Sequence, residues 1–285
     1  MSRSDTVART EHDVPRPERR QAPAAGRATF RHCLHAEWIK IRTMRSTGYV
    51  LLGTVVLGAA LAWLGCTAAG EEYATLTAED RLAFDPLAAG LRSHLLAQVT
   101  LAMLGGLVIT AEHGSRSIVG TLTAVPNRGR VLAAKAAALL AVVLPTGLLV
   151  TFGGFAAGQA ALDGAGAPHV ALGDPGSWRA ILGGALYLAL AGLLGLAAGT
   201  LVRSTTATVT SLFASLLIVP AFAPMMPGRL ADWTVKYWPP SAGGQITTGY
   251  RDPDLLGPWP GFAVMAACVA VLLAAAFLVF RRRDA

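Results

Sequence analysis

Six long apolar runs dominate the chain, at Tyr49–Ala69, Leu95–Ala111, Ala136–Leu162, Ala180–Val202, Thr205–Met226 and Gly261–Phe280, and none contains Lys, Arg, Asp, Glu or His. Runs of this length make helices of roughly 25–40 Å at 1.5 Å per residue, enough to cross a hydrocarbon core of about 30 Å. Six uncharged helices of that length do not fit the interior of a soluble domain. The pattern predicts an all-α integral membrane protein with six transmembrane helices, its membrane domain covering residues 49–280.

The segment before the first run divides in two. Residues 1–29 mix Arg, Glu, Pro and Ala without apolar periodicity, the composition of a disordered tail. Over 30–48 the pattern changes. Phe30, Leu34, Trp38, Ile41 and Met44 recur at the spacing of one helix face, with Arg31, His35, Arg42 and Arg45 around the remainder. A basic amphipathic helix directly before a span is expected to lie in the membrane interface, with Trp38 at headgroup depth.

The connection between the second and third runs carries a second amphipathic signature. Ile118, Val119, Leu122 and Val125 form one apolar face of a short helix that Pro126 must end. Glu112 and Arg116 stand four apart with the acid first, the better order for a helix ion pair, which contributes only about 0.3–0.5 kcal/mol. Gly120 in the middle costs roughly 1 kcal/mol relative to Ala, so contacts outside the helix must hold it. Two roles fit this pattern: a helix gripped by a partner protein, or one lying on lipid.

Charge sorts by side. Of the 24 Lys and Arg residues, 18 fall in the N-terminal arm, the second and fourth connections and the basic tail at 281–285, and six in the other connections. The first connection carries Glu71, Glu72, Glu79, Asp80 and Asp85 instead. By the positive-inside rule both termini and the second and fourth connections face the cytoplasm. The net charge of +7 therefore reflects topology, with no need of a nucleic-acid partner. Cys33, Cys66 and Cys268 lie far apart with no C-x-x-C and no His at ligand spacing, arguing against a metal site or a disulfide framework. Cys66 is a poor lipoprotein acceptor, with Trp63 three residues back and a long polar stretch before the run. Arg far outnumbers Lys, which suits a high-GC bacterial genome and a bacterial plasma membrane address.

Interior polar groups are weak ones: Gln98, Thr100, Thr146, Thr151, Gln159, Thr205, Thr206, Thr208, Thr210, Ser211 and Ser215. They suit either helix–helix hydrogen bonding or an amphipathic substrate. With no acid or His inside the runs, ion-coupled transport lacks its coupling group. Ser211 and Ser215 lack a base as well, since His94, His113 and His169 fall at ends or in loops, so an intramembrane hydrolase is disfavoured. Gly154-x-x-x-Gly158 and Gly195-x-x-x-Gly199 permit close helix packing, while Pro145, Pro220 and Pro224 are expected to bend the third and fifth spans. Trp233, Tyr237, Trp238 and Trp259 between the fifth and sixth runs fit an outer aromatic belt.

Three stretches together carry a family resemblance. Ala36–Thr47, reading AEWIKIRTMRST, resembles the SEWTKLRSVRST opening of bacterial ABC-2 type transporter permeases. Ile109–Lys135 resembles their segment between spans two and three, with an acid, a Thr-Leu pair, then Pro, Arg and Ala-Lys. Tyr237–Gln245, reading YWPPSAGGQ, is similar to their YLPSNAGQ stretch, departing by Trp238, an extra Pro and the doubled Gly243-Gly244. The order and topology match across nearly everything after residue 30.

The resemblance implies the membrane half of an exporter for a lipophilic or amphipathic substrate. It works as a dimer of two copies, or paired with a second permease, on a separate ATPase subunit that binds ATP and Mg. The 30–48 helix would be an elbow helix, with Glu37, Trp38, Lys40, Arg42 and Arg45 as its polar and interfacial residues. Glu112, His113, Gly114, Ser115, Arg116, Ser117, Thr121, Leu122 and Pro126 would form the coupling helix seated in the ATPase. Tyr237, Trp238, Pro239, Pro240, Ser241, Gly243 and Gln245 would belong to short helices re-entering from outside, and spans one, two and five would line the path. The chain is not itself an enzyme on this reading: Lys40, Lys135 and Lys236 are its only lysines, and none follows Gly as a phosphate-binding loop requires. The alternative is a non-pumping immunity or sensor subunit of a similar complex.

Overall fold

The computed structural model describes residues 29–114 and 127–282, and among these the protein is all helical with no strand. The order is α1 (Phe30–Thr43), α2 (Arg45–Tyr73), α3 (Ala78–Leu82), α4 (Pro86–Leu91), α5 (His94–Gly114), α6 (Arg128–Gly164), α7 (Ser177–Val202) and α8 (Thr205–Phe213). A π turn (Ala214–Ile218), α9 (Val219–Phe222) and a 3-10 turn (Ala223–Met225) continue α8. Then come α10 (Arg229–Tyr237), α11 (Pro239–Gly244), a 3-10 turn (Gln245–Thr247) and α12 (Pro258–Arg282). The tail to residue 28, the 115–126 part of the second connection and the last three residues lie outside the described residues.

Six stretches are long and apolar enough to cross a membrane: Arg45–Tyr73, Pro86–Glu112, Arg128–Gly164, Ser177–Val202, Thr205–Met225 and Pro258–Arg282. Each coincides with one of the six apolar runs, and all but the fifth extend past it. The extension has chemical consequences, because helix continues into flanking polar sequence wherever its backbone bonds stay satisfied. Lys135, assigned by pattern to a connection, sits inside α6 and is fully buried. His94, assigned to a span end, lies within the Pro86–Glu112 stretch and is buried. The apolar runs hold no ionisable group, but the longer helices built on them do.

The fourth span, α7, is the centre of the bundle and packs against α5, α6 and α12. Its contact with α5 is backbone to backbone, made through Gly105 and Gly106 on one helix and Gly192, Gly195 and Gly199 on the other. A Cβ on Gly199 would stand 2.8 Å from the Gly106 carbonyl oxygen. Gly154 and Gly158 of α6 take in α4 the same way, and a Cβ on Gly158 would be 2.6 Å from Gly90 Cα. Both small-residue motifs thus mark real close approaches. α6 runs as one continuous helix through Pro145, whereas the fifth span changes helix type around Pro220 and Pro224. Most interior polar groups bond protein: Thr151 Oγ1 donates to the Ile181 carbonyl at 3.0 Å, and Gln159 spans the Pro86 carbonyl and the Val170 N–H at 2.8 and 2.9 Å.

Candidate functional site: a buried ion-pair ring

α1 lies against α6. The face it turns to the protein differs from the apolar stripe read in the sequence. Cys33 and Glu37 are its buried residues, Leu34 and Ile41 are half-buried, and Phe30 and Trp38 of the stripe are exposed. The apolar stripe is thus left facing outward, and the protein-facing side centres on a carboxylate, which only a paired environment allows inside.

The pairing comes from both roots of the second connection. Glu112 ends the second span, three residues before the undescribed 115–126 stretch. On the other side Asn127 caps α6 by accepting the Arg130 N–H at 3.1 Å, and Lys135 follows two turns into the helix. Lys135 Nζ lies 2.9 Å from Glu37 Oε2 and 2.6 Å from Glu112 Oε1. Lys40 Nζ lies 2.8 Å from Glu37 Oε1 and 2.8 Å from Glu112 Oε1. The four side chains therefore close a ring of alternating charge that joins α1, α5 and α6.

Burial grades around this ring. The Lys135 side chain is 0% exposed, Glu37 7%, Glu112 13% and Lys40 44%. Desolvating an ion costs several kcal/mol, so each buried member is tolerable only because two opposite charges contact it. Partial burial would push the Lys40 ammonium down, but Glu112 and Glu37 outweigh it and hold its pKa above the ordinary lysine value. Lysine suits the place: a compact cation with three donors can bridge carboxylates on two helices, where the planar fork of arginine favours one bidentate partner. In a chain so rich in Arg, two of only three lysines lie in this ring. The scarcity of lysine is the sequence signal that could single out Lys40 and Lys135.

The remaining residues separate into groups. Lys40 and Glu112 are brought together with Glu37, while Trp38, Arg42 and Arg45 stay exposed. His113 and Gly114 close α5, and Ser115, Arg116, Ser117, Thr121, Leu122 and Pro126 fall outside the described residues, including one half of the expected Glu112–Arg116 pair. At the far end of the bundle, Tyr237 ends α10 with its ring exposed, and Trp238 turns the chain into α11. Pro239 opens α11, Pro240 and Gly243 are buried, and Ser241 and Gln245 are half-buried. Gly243 leaves room for Met265 and Tyr187, and Ile246 packs onto Gly183, so α11 and its 3-10 extension sit between α7 and α12. Trp233 and Trp259 remain exposed as a belt would have them, while Trp238 leaves it to bond the fifth span.

Chemically the ring holds charge and position, with no nucleophile–base pair in it. Among the described residues no three His, Cys, Asp or Glu side chains converge as a metal ion requires. The chain matches no protein-family model, and no curated protein sequence matches it.

Proposed function

We propose that this chain is the membrane-spanning permease subunit of an ABC-2 type transporter, exporting a lipophilic or amphipathic substrate across a bacterial plasma membrane. A separate ATPase subunit, binding ATP and Mg, supplies the energy, and two permease subunits pair to form the path. The observation that carries this reading is the ring. It fastens the N-terminal amphipathic helix to both roots of the 115–126 connection, so a force applied to that connection reaches α1, α5 and α6 together. The three resembling stretches and the six membrane-crossing helices support the same assignment. On this reading Glu112 to Pro126 receive the ATPase stroke and α1 is the elbow helix at the cytoplasmic surface.

Co-purification from native cells in mild detergent tests it. The wild type is compared with a variant carrying Arg116→Ala and Leu122→Asp, which keeps all four ring residues. A nucleotide-binding ATPase should accompany the wild type near one-to-one and fall away from the variant. A chain that purifies alone, or with a kinase or receptor in place of an ATPase, sinks the transporter reading in favour of a non-pumping subunit.

A further inference from the structure

The fifth span is the one spanning helix, among the described residues, interrupted by a π turn, at Ala214–Ile218. The cause lies in Pro220, which has no N–H to give. In an α-helical frame the Leu216 carbonyl is owed the N–H of residue 220. In the widened frame, where the Val219 N–H reaches back to the Ala214 carbonyl, the Ser215 carbonyl is owed that same missing donor. Both oxygens are satisfied from outside the helix. Gln98 Nε2 of α5 donates to the Leu216 carbonyl at 3.3 Å, and Trp238 Nε1 donates to the Ser215 carbonyl at 2.8 Å.

These two donors belong to a larger brace. The Tyr187 hydroxyl, fully buried on α7, donates to Gln98 Oε1, which leaves the Gln98 amide hydrogens for Leu216. The Pro240 carbonyl of α11 lies 3.2 Å from the same hydroxyl. The His94 ring packs edge-on against Tyr187 at 5.5 Å between centroids. One turn of the fifth span is thus held by the second span on one side and by the short far-end helices on the other.

The geometry points to a hinge in the fifth span at Ala214–Ile218, latched by Gln98 and Trp238. A helix bends where its ladder is broken, and here the missing rungs are replaced by side chains on two other elements. If the α10–α11 segment moves away from α7 and α12, Trp238 must release Ser215. The halves of the span on either side of the turn then swing independently. This inference stands apart from the ATPase reading, since it needs no partner.

The test pairs each donor with the proline. Spin labels at Thr206→Cys and Phe222→Cys, in a chain with its three native cysteines replaced, report the distance across the hinge in reconstituted membranes. The parent should give one distance population, and Gln98→Leu or Trp238→Phe should add a second. Each variant should also lower the melting temperature in detergent by about 2–4 °C. Pro220→Ala restores the backbone donor, so in that background both substitutions should lose their effect on distance and on melting. An unchanged distance distribution in both donor variants overturns the hinge. Effects that persist undiminished with Pro220→Ala overturn the latch.

Discussion

Lys135 Nζ sits 2.6 Å from Glu112 Oε1, and these two residues bracket the 115–126 connection from opposite sides. A contact at the base of a loop fixes the separation of its roots. Because Glu37 of α1 accepts from the same ammonium at 2.9 Å, the N-terminal helix is clamped to that base. The relationship makes Lys135 the hub, with no solvent to replace a lost partner.

Lys135→Met should therefore be severe. It leaves the half-exposed Lys40 as the ring's one cation, and breaking one side of a buried pair costs about 3–5 kcal/mol. Lys40→Met, at the exposed edge, should cost no more than about 1 kcal/mol. Thermal unfolding in detergent ranks the two, and equal losses would mean the ring is not graded by burial. Lys135→Arg is expected to rescue only in part, since a planar fork must replace a compact cation in a fully closed space.

Cys33 offers a direct report on the clamp. It lies on the protein-facing side of α1 at 7% exposure, one turn from Glu37. A thiol reagent should label it slowly in the intact protein and at least several-fold faster in Lys135→Met, at a temperature where the bundle stays folded. Cys66, at 0% exposure between α2 and α6, serves as the internal control and should remain slow in both. Equal Cys33 rates in the two proteins would show that the ring does not hold α1.

How far the sequence foretold this arrangement follows from what each feature depends on. The six spans were legible because hydrophobicity over a bilayer's thickness is a local property. The α5–α7 contact was legible at Gly195 and Gly199, since only small residues allow that approach. The ring was not, because Glu37, Lys40, Glu112 and Lys135 are spread over three helices, and their burial depends on one another's charge. Glu37 and Lys135 read as ordinary flanking charges until the fold neutralises them. Likewise Pro220 announced a distortion, but the identity of the donors that repair it, Gln98 and Trp238, is set by tertiary packing.

The pKa of Lys40 gives the ring a pH signature. A lysine raised above its unfolded value of about 10.4 stabilises the fold fully below that value, and the contribution fades as pH rises through the higher folded value. The melting difference between wild type and Lys40→Met should then be constant at neutral and mildly alkaline pH and shrink only as pH rises past the ordinary lysine value. A difference that already closes near neutral pH would mean that the ammonium is not held by the two carboxylates.

Glycine positions separate packing from propensity. Replacing helical Gly by Ala favours the helix by about 0.8–1.0 kcal/mol where space allows. A Cβ on Gly65 of α2 would have nothing within 4 Å, so Gly65→Ala should raise stability by roughly that amount. Gly158→Ala meets Gly90 Cα at 2.6 Å and Cys66 Sγ at 3.0 Å, and backbone cannot yield as a side-chain tip can. The overpacking cost of about 1–3 kcal/mol should exceed the propensity gain. Gly199→Ala should behave alike, because its Cβ would meet the Gly106 carbonyl at 2.8 Å and push α5 away from α7. The melting temperatures of the three variants decide the matter. Stabilisation by Gly158→Ala or Gly199→Ala would mean that these helices do not approach as closely as the fold requires, and the central packing of the bundle would have to be redrawn.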